Sequence, residues 1–322
     1  MRQLQTILAV IEPHEMRQVA LERALAIAQA SGRHHAKIVA VMPTERALIN
    51  KERLEQDDAE DKPNLTAPAE SLKRHLRWLQ AYLNINAMGY DVTARVIPPQ
   101  ETGKGITALA KEVGADFIIK AADEHKFLGS VFNPPLDLQL LRHSPVPVLI
   151  AKGHIWHPTG KIAVALDMSD PADLQLRQLN MRLLREAQEL SQLTRCQIHL
   201  LNSIAPVVPP SSIDMPGFTP DLVGEEALKE SCRNVLSFAS RHRISPDNCH
   251  IREGQADSVI PSMCAELNPT CLFIGTSARK GLAVALIGNI CERVVDELAC
   301  DVVVITPKAV RERIPFAQEI KG

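Results

Sequence analysis

Aromatic side chains are scarce in this chain, with seven phenylalanines, two tyrosines and two tryptophans among 322 residues. That leaves little to stack against bases, as single-stranded nucleic acid binding requires. A net charge of −2 supplies no general positive field for a polyanion or an anionic membrane. Long apolar runs are missing too: none approaches the ~18–20 residues of a membrane span, and residues 1–12 have too short an apolar core for an export signal. A cytoplasmic location is the expectation. No Cys-X-X-Cys pair occurs among the seven cysteines, which all fall between Cys196 and Cys300. An odd set of this kind argues for free thiols, with Cys264, Cys271 and Cys300 as small core hydrophobes. The chain also lacks a nucleophile elbow, a His-Glu-X-X-His motif and paired carboxylates on a recognisable scaffold, so no catalytic residue is assigned. His154 and His157 stand three apart in a polar segment without a third ligand, which assigns no metal and reads as solvated linker.

What the chain does have is alternation. An apolar strand over 5–11 stops at Glu12-Pro13, and 15–30 then carries apolar residues at helical spacing as far as Gly32. Strands are expected at 36–42, 92–97, 116–120 and 147–151, with a helix marked by Leu72, Leu76, Leu79 and Leu83 and another over 106–113. After a polar, Gly/Pro-punctuated segment at 153–160 the plan repeats. Strands are expected at 161–166, 197–202, 248–252, 270–274 and 301–305, and helices at 172–192, 225–242, 258–267 and 289–298. Alternation of this kind implies parallel sheets covered by helices on both faces. A period of about 150 residues is too long for a solenoid repeat and reads as duplication of a whole domain.

The stretch from Thr270 to Asn289 is an apolar strand, a small-residue loop with two cations and a helix start. Gly275 and Gly281 let the backbone turn and approach an anion, Arg279 and Lys280 add positive charge, and Gly288-Asn289 offers donors at a helix N-terminus. Its spacing resembles the nucleotide loop of universal stress proteins: Gly, two residues, Gly, nine residues, Gly, then Ser or Thr. Here the positions are Gly275, Ala278, Gly288 and Asn289. Ala278 puts a methyl where the backbone comes closest to phosphate, and Asn289 replaces the hydroxyl. Leu200-Leu-Asn-Ser203, Arg252-Glu-Gly254, Cys300 to Ile305 and His143 to Leu149 resemble further landmarks of the family. The resemblance covers nearly the whole chain and is nearest to the tandem-domain, E-type members.

That resemblance implies two Rossmann-like α/β domains, at 1–152 and 161–308, each a five-stranded parallel sheet, with a linker at 153–160 and a tail at 309–322. It implies a ligand site in the second domain formed by Asp167, Ser203, Gly275, Thr276, Arg279, Gly288 and Asn289. Asp167 also reads as a turn-former with Ser169 and Asp170. In the first domain Ile11 takes the aspartate's place, and Ala121, Ala122-Asp123, Glu124 and Pro134-Pro135 hold no motif glycine. ATP is therefore left open for the second domain alone and not expected in the first. Phe127, Leu128 and Phe132, with Val131 and Leu136, read as packing or as contacts for an apolar or amphipathic ligand. The family also pairs through its last strands, which implies 148–151 beside 302–305 within one chain and leaves a homodimer open. Two functions follow from the resemblance, a non-catalytic stress-response protein acting by binding and assembly or an ATP switch or slow ATPase using the second domain. A third, a lipid or metabolite sensor, rests on the apolar first-domain loop alone.

Overall fold

A computed structural model describes residues 4–13, 15–32, 36–44, 67–99, 102–122, 135–157, 159–205, 220–276 and 294–312. They fall into two compact units, one within Met1–Gly153 and Arg311–Gly322, the other within His154–Val310. The first contains β1 (Thr6–Val10), α1 (Val19–Ala30), β2 (Lys37–Pro43), α2 (Ala67–Asn86), β3 (Val92–Ile97), α3 (Thr102–Glu112), β4 (Phe117–Ala121), α4 (Leu136–His143) and β5 (Val148–Ala151). The second contains β6 (Lys161–Leu166), α5 (Leu174–Thr194), β7 (Gln197–Ile204), α6 (Pro220–Arg241), β8 (Cys249–Glu253), α7 (Ala256–Leu267), β9 (Cys271–Gly275) and β10 (Asp301–Ile305).

All strand pairs within a unit are parallel, in the order β3-β2-β1-β4-β5 and, in the second unit, β8-β7-β6-β9-β10. The central runs are continuous in apolar residues because both faces are covered: every residue of β1, β4 and β10 is buried. The outermost strands β3 and β8 are only partly buried and carry Arg95 and Arg252. Connections to β2 and β3 run one way from the first strand, and those to β4 and β5 run the other. Right-handed crossovers then place helices on opposite faces and open a crevice between β1 and β4, and between β6 and β9.

Two expectations change here. Leu136, read as part of an apolar loop, opens α4, with Pro135 at the N-cap where a missing N–H breaks no helical bond. His154 is not a solvated linker residue: its Nε2 lies 3.1 Å from the Thr270 carbonyl and its Nδ1 3.3 Å from Asp301 Oδ1. Trp156 Nε1 donates to Asp301 Oδ2 at 2.8 Å. Asp301 is fully buried, so these polar partners are what make its position tenable.

On the sheet face covered by α7, His199 Nδ1 and His250 Nε2 lie 3.0 Å apart, with the two rings stacked. Burial first, then His250 and Lys161, push the His199 pKa down to about 4. Burial, Lys161 and Arg252 also lower His250, against an opposing pull from Glu266. Because the folded state holds these rings neutral, the unfolded chain binds more protons between the ordinary histidine pKa of about 6.5 and the depressed value. Stability is expected to be complete above pH 6.5 and to fall by about 2 kcal/mol toward pH 4 on this account. Urea unfolding of the wild type and His199→Leu at pH 7 and 4.5 checks it; an equal loss in both proteins would refute the assignment.

Candidate functional site

At the carboxyl edge of the second unit, the β6–β9 register pairs Val164 with Phe273. Continued along both strands, it sets Leu166 beside Gly275 and Asp167 beside Thr276. The Asp167 backbone is clamped by one side chain of α5. Asn180, buried, donates from Nδ2 to the Asp167 carbonyl at 2.8 Å and accepts from the Asp167 N–H at 3.2 Å. Asp173 caps α5 by accepting from the amides of Gln175 and Leu176, which fixes the helix that carries Asn180. The Asp167 carboxylate turns toward its own loop: Oδ1 accepts from the Ser169 hydroxyl at 2.6 Å and the Ser169 N–H at 3.1 Å. Asp167 is thus a turn-former, with Oδ2 left free of hydrogen bonds among the described residues.

Gly275 has a packing role. A Cβ built there would stand 2.6 Å from Leu179 Cδ2 and 2.9 Å from its Cγ. The residue lies inside β9 without a positive φ, so it is glycine because α5 packs close. Thr276 N–H donates to the Ile305 carbonyl at 3.0 Å, while its buried hydroxyl has no hydrogen-bond partner among the described residues. A buried hydroxyl in that condition carries a desolvation penalty that a ligand atom could relieve. The β6–β7 register pairs Leu166 with Asn202, which places Ser203 one residue further along, next to the Asp167 position. Asn202, buried, donates to the Leu166 carbonyl at 3.0 Å and accepts from Ser231 at 2.8 Å.

The first unit repeats this clamp. Gln18 donates from Nε2 to the Glu12 carbonyl at 2.7 Å and accepts from the Glu12 N–H at 2.9 Å. Register agrees: Ile7 pairs with Phe117 as Ile162 pairs with Cys271. Glu12 therefore corresponds to Asp167, Ala121 to Gly275 and Lys120 to Ile274. The expectation that Ile11 holds the aspartate's place is corrected. Ile11 is fully buried and its N–H donates to the Val41 carbonyl, which continues the ladder one residue past β1, and the carboxylate comes one residue later. That carboxylate is engaged within the unit: Lys120, buried, reaches Glu12 Oε1 at 2.9 Å and the Ala121 carbonyl at 3.0 Å.

Two halves with one strand order and one clamp agree with what sequence comparison finds. The family model for the universal stress protein family matches residues 3–152 and again 159–306. The chain belongs to the universal stress protein family. It is 31% identical over 331 aligned positions to universal stress protein E of Photorhabdus laumondii, covering 99% of this chain and all of that protein. It is 28% identical to universal stress protein E of Escherichia coli K12, covering 95% of each. Among solved structures, a Pseudomonas aeruginosa PAO1 protein described as functionally unknown superposes with a TM-score of 0.66 at 27% identity, covering 98% of this chain and 96% of its own. These relatives put the chain with the tandem, E-type universal stress proteins, and it is accordingly a stress-response protein.

Of the residues that the family motif singled out, Asp167, Ser203, Gly275 and Thr276 gather at one strand edge. Arg279, Gly288 and Asn289 lie outside the described residues, as do Phe127, Leu128 and Phe132. The sequence reading passed over Asn180, Gln18, Asn202 and the Lys120–Glu12 pair. A signal for the clamp did exist: both halves carry a side-chain amide shortly after the first strand's acidic stop. Its distance differs, six residues in one universal stress unit and thirteen in the other, so alignment by spacing misses it. Among the described residues no group of His, Cys, Asp and Glu could hold a metal ion, and no helix is long and apolar enough to cross a membrane.

Proposed function

We propose that this universal stress protein is a non-catalytic cytoplasmic component of the stress response. In this reading it acts by ligand binding and assembly, with its strand-edge ligand taken by the second unit alone. The observation that supports this reading is the different fate of two corresponding carboxylates. Glu12 is neutralised by a buried lysine of its own unit at 2.9 Å. Asp167 has Ile274 where that lysine would be, and strand register sets it beside Thr276, whose buried hydroxyl has no partner among the described residues. A crevice whose charge is already satisfied offers a ligand little; one with an incompletely used carboxylate and an orphan hydroxyl offers two polar anchors.

A second reading, an ATP switch or slow ATPase in the second unit, is favoured by the Thr276 hydroxyl, which stands where the glycine loop begins. Equilibrium titration of the full chain with ATP separates the two. At most one ATP is expected per chain, with binding lost in Asp167→Ala, kept in Glu12→Ala, and no turnover above buffer. Two nucleotides per chain, or binding that survives Asp167→Ala, would overturn the one-sided site. Turnover lost in the same variant would select the ATPase.

A further inference from the structure

The second unit carries a groove of about 820 Å³ lined by α5, α6 and the loop before α5, within the roughly 300–1,000 Å³ of small-ligand sites. Its floor is apolar. Leu184 and Phe238 close it from beneath, and Met181 stands 45% exposed along it. Leu174 of the same helix, more exposed still, also lines the groove, so two open apolar side chains of α5 mark a surface suited to an apolar guest.

The rim has the opposite character and a single sign. Arg177, Arg182, Arg185 and Arg241 line the groove, and no Asp or Glu is among its described lining residues. Glu186, which lies beside it, serves Arg185 at 3.1 Å and Arg182 at 3.9 Å. Arg177 and Arg241 have no carboxylate partner among the described residues; Arg241 bonds only to Ser237 of its own helix, at 3.1 and 3.3 Å. Two guanidinium groups without counter-ions therefore flank an apolar trough. Guanidinium presents several donors in a fixed plane matched to a carboxylate or phosphate.

We propose that the α5–α6 groove binds an amphipathic anion, its hydrocarbon part along Met181, Leu184 and Phe238 and its acidic head on Arg177 and Arg241. The groove borders the Asp167 loop, since Met168, Pro171 and Asn180 also line it, but its anchors are the exposed Arg177 and Arg241 and not the Asp167 carboxylate. The charge pattern selects the occupant. A neutral apolar molecule would leave the arginines unused, and an inorganic anion would leave the apolar floor uncovered. Neither alone accounts for the two features together.

Calorimetric titration of the full chain with decanoate, below the concentration at which it self-associates, tests the site. Saturation at one decanoate per chain is expected, with decan-1-ol at least tenfold weaker and inorganic phosphate giving no saturation. Arg177→Glu with Arg241→Glu is expected to weaken decanoate at least tenfold, and so is Met181→Lys. Arg233→Glu, which makes one such charge reversal on α6 outside the groove, is expected to change little, whereas Arg241→Glu alone is expected to weaken decanoate measurably. All four substituted positions are exposed, and circular dichroism verifies that each variant is folded. Equal affinity for decan-1-ol, equal loss in Arg233→Glu, or no saturation would overturn the proposal. Sedimentation in the same titration covers one other occupant: release of monomer from a dimer as decanoate binds would mean that a second copy fills the groove, and would overturn it too.

Discussion

Replacing Gly275 with valine is expected to destabilise the second unit by about 3 kcal/mol, with hydrogen exchange accelerating across β6 and β9. The Cβ alone would fall inside the contact distance of both Leu179 Cδ2 and Leu179 Cγ, at 2.6 and 2.9 Å. Moving only the tip of the leucine does not relieve this, because the branch point is itself too close. Leu179 is buried in α5, so the strain passes to the helix that carries Asn180 one residue further on. Leu179→Ala on its own should cost about 3 kcal/mol through the cavity it leaves. The double variant should cost at least 1 kcal/mol less than the two singles added, since the new methyls occupy the vacated space. Strict additivity would show that Gly275 is glycine for some reason other than this contact.

Removing the clamp is the second large effect. Asn180→Leu keeps the volume near that of the amide but leaves the Asp167 N–H and carbonyl without their partners, at an expected cost of about 2 kcal/mol. The loop that presents Asp167 would then lose its fixed direction, and the ligand affinity of the second unit should fall along with its stability. Gln18→Leu is the matched experiment in the first unit. It should lower stability by a similar amount, about 2 kcal/mol, and leave ligand binding as it was, because Glu12 already has Lys120. Urea unfolding and ATP titration on the same two variants check both halves. A loss of binding in Gln18→Leu would mean that the first unit takes part.

Much of the architecture was legible beforehand because buried parallel strands write themselves as unbroken apolar runs. Val92–Ile97, Lys161–Leu166 and Asp301–Ile305 form strands with the limits read from sequence. The duplication followed from the order of the runs, and the family from the spacing of a loop. The site was less legible. In the first unit the sequence sets Ile11 at the aspartate's position, because an apolar-to-acidic boundary does not reveal which residue is the last to be paired in a ladder. The Ile11 amide bonds to Val41, which moves the first outward-turning carboxylate to Glu12.

By itself, then, the order of residues determined the alternating strands and helices, their duplication and the parallel sheets, since these depend on local periodicity and on how much apolar surface each segment must hide. Only the folded chain decided what each residue at the strand edges does. Lys120 meets Glu12 across 108 positions, Trp156 meets Asp301 across 145, and Leu179 fills the space beside Gly275. Contacts of that kind are set by register and by the closeness of a crossing helix. Both are properties of packed backbones, and neither leaves a pattern along the chain.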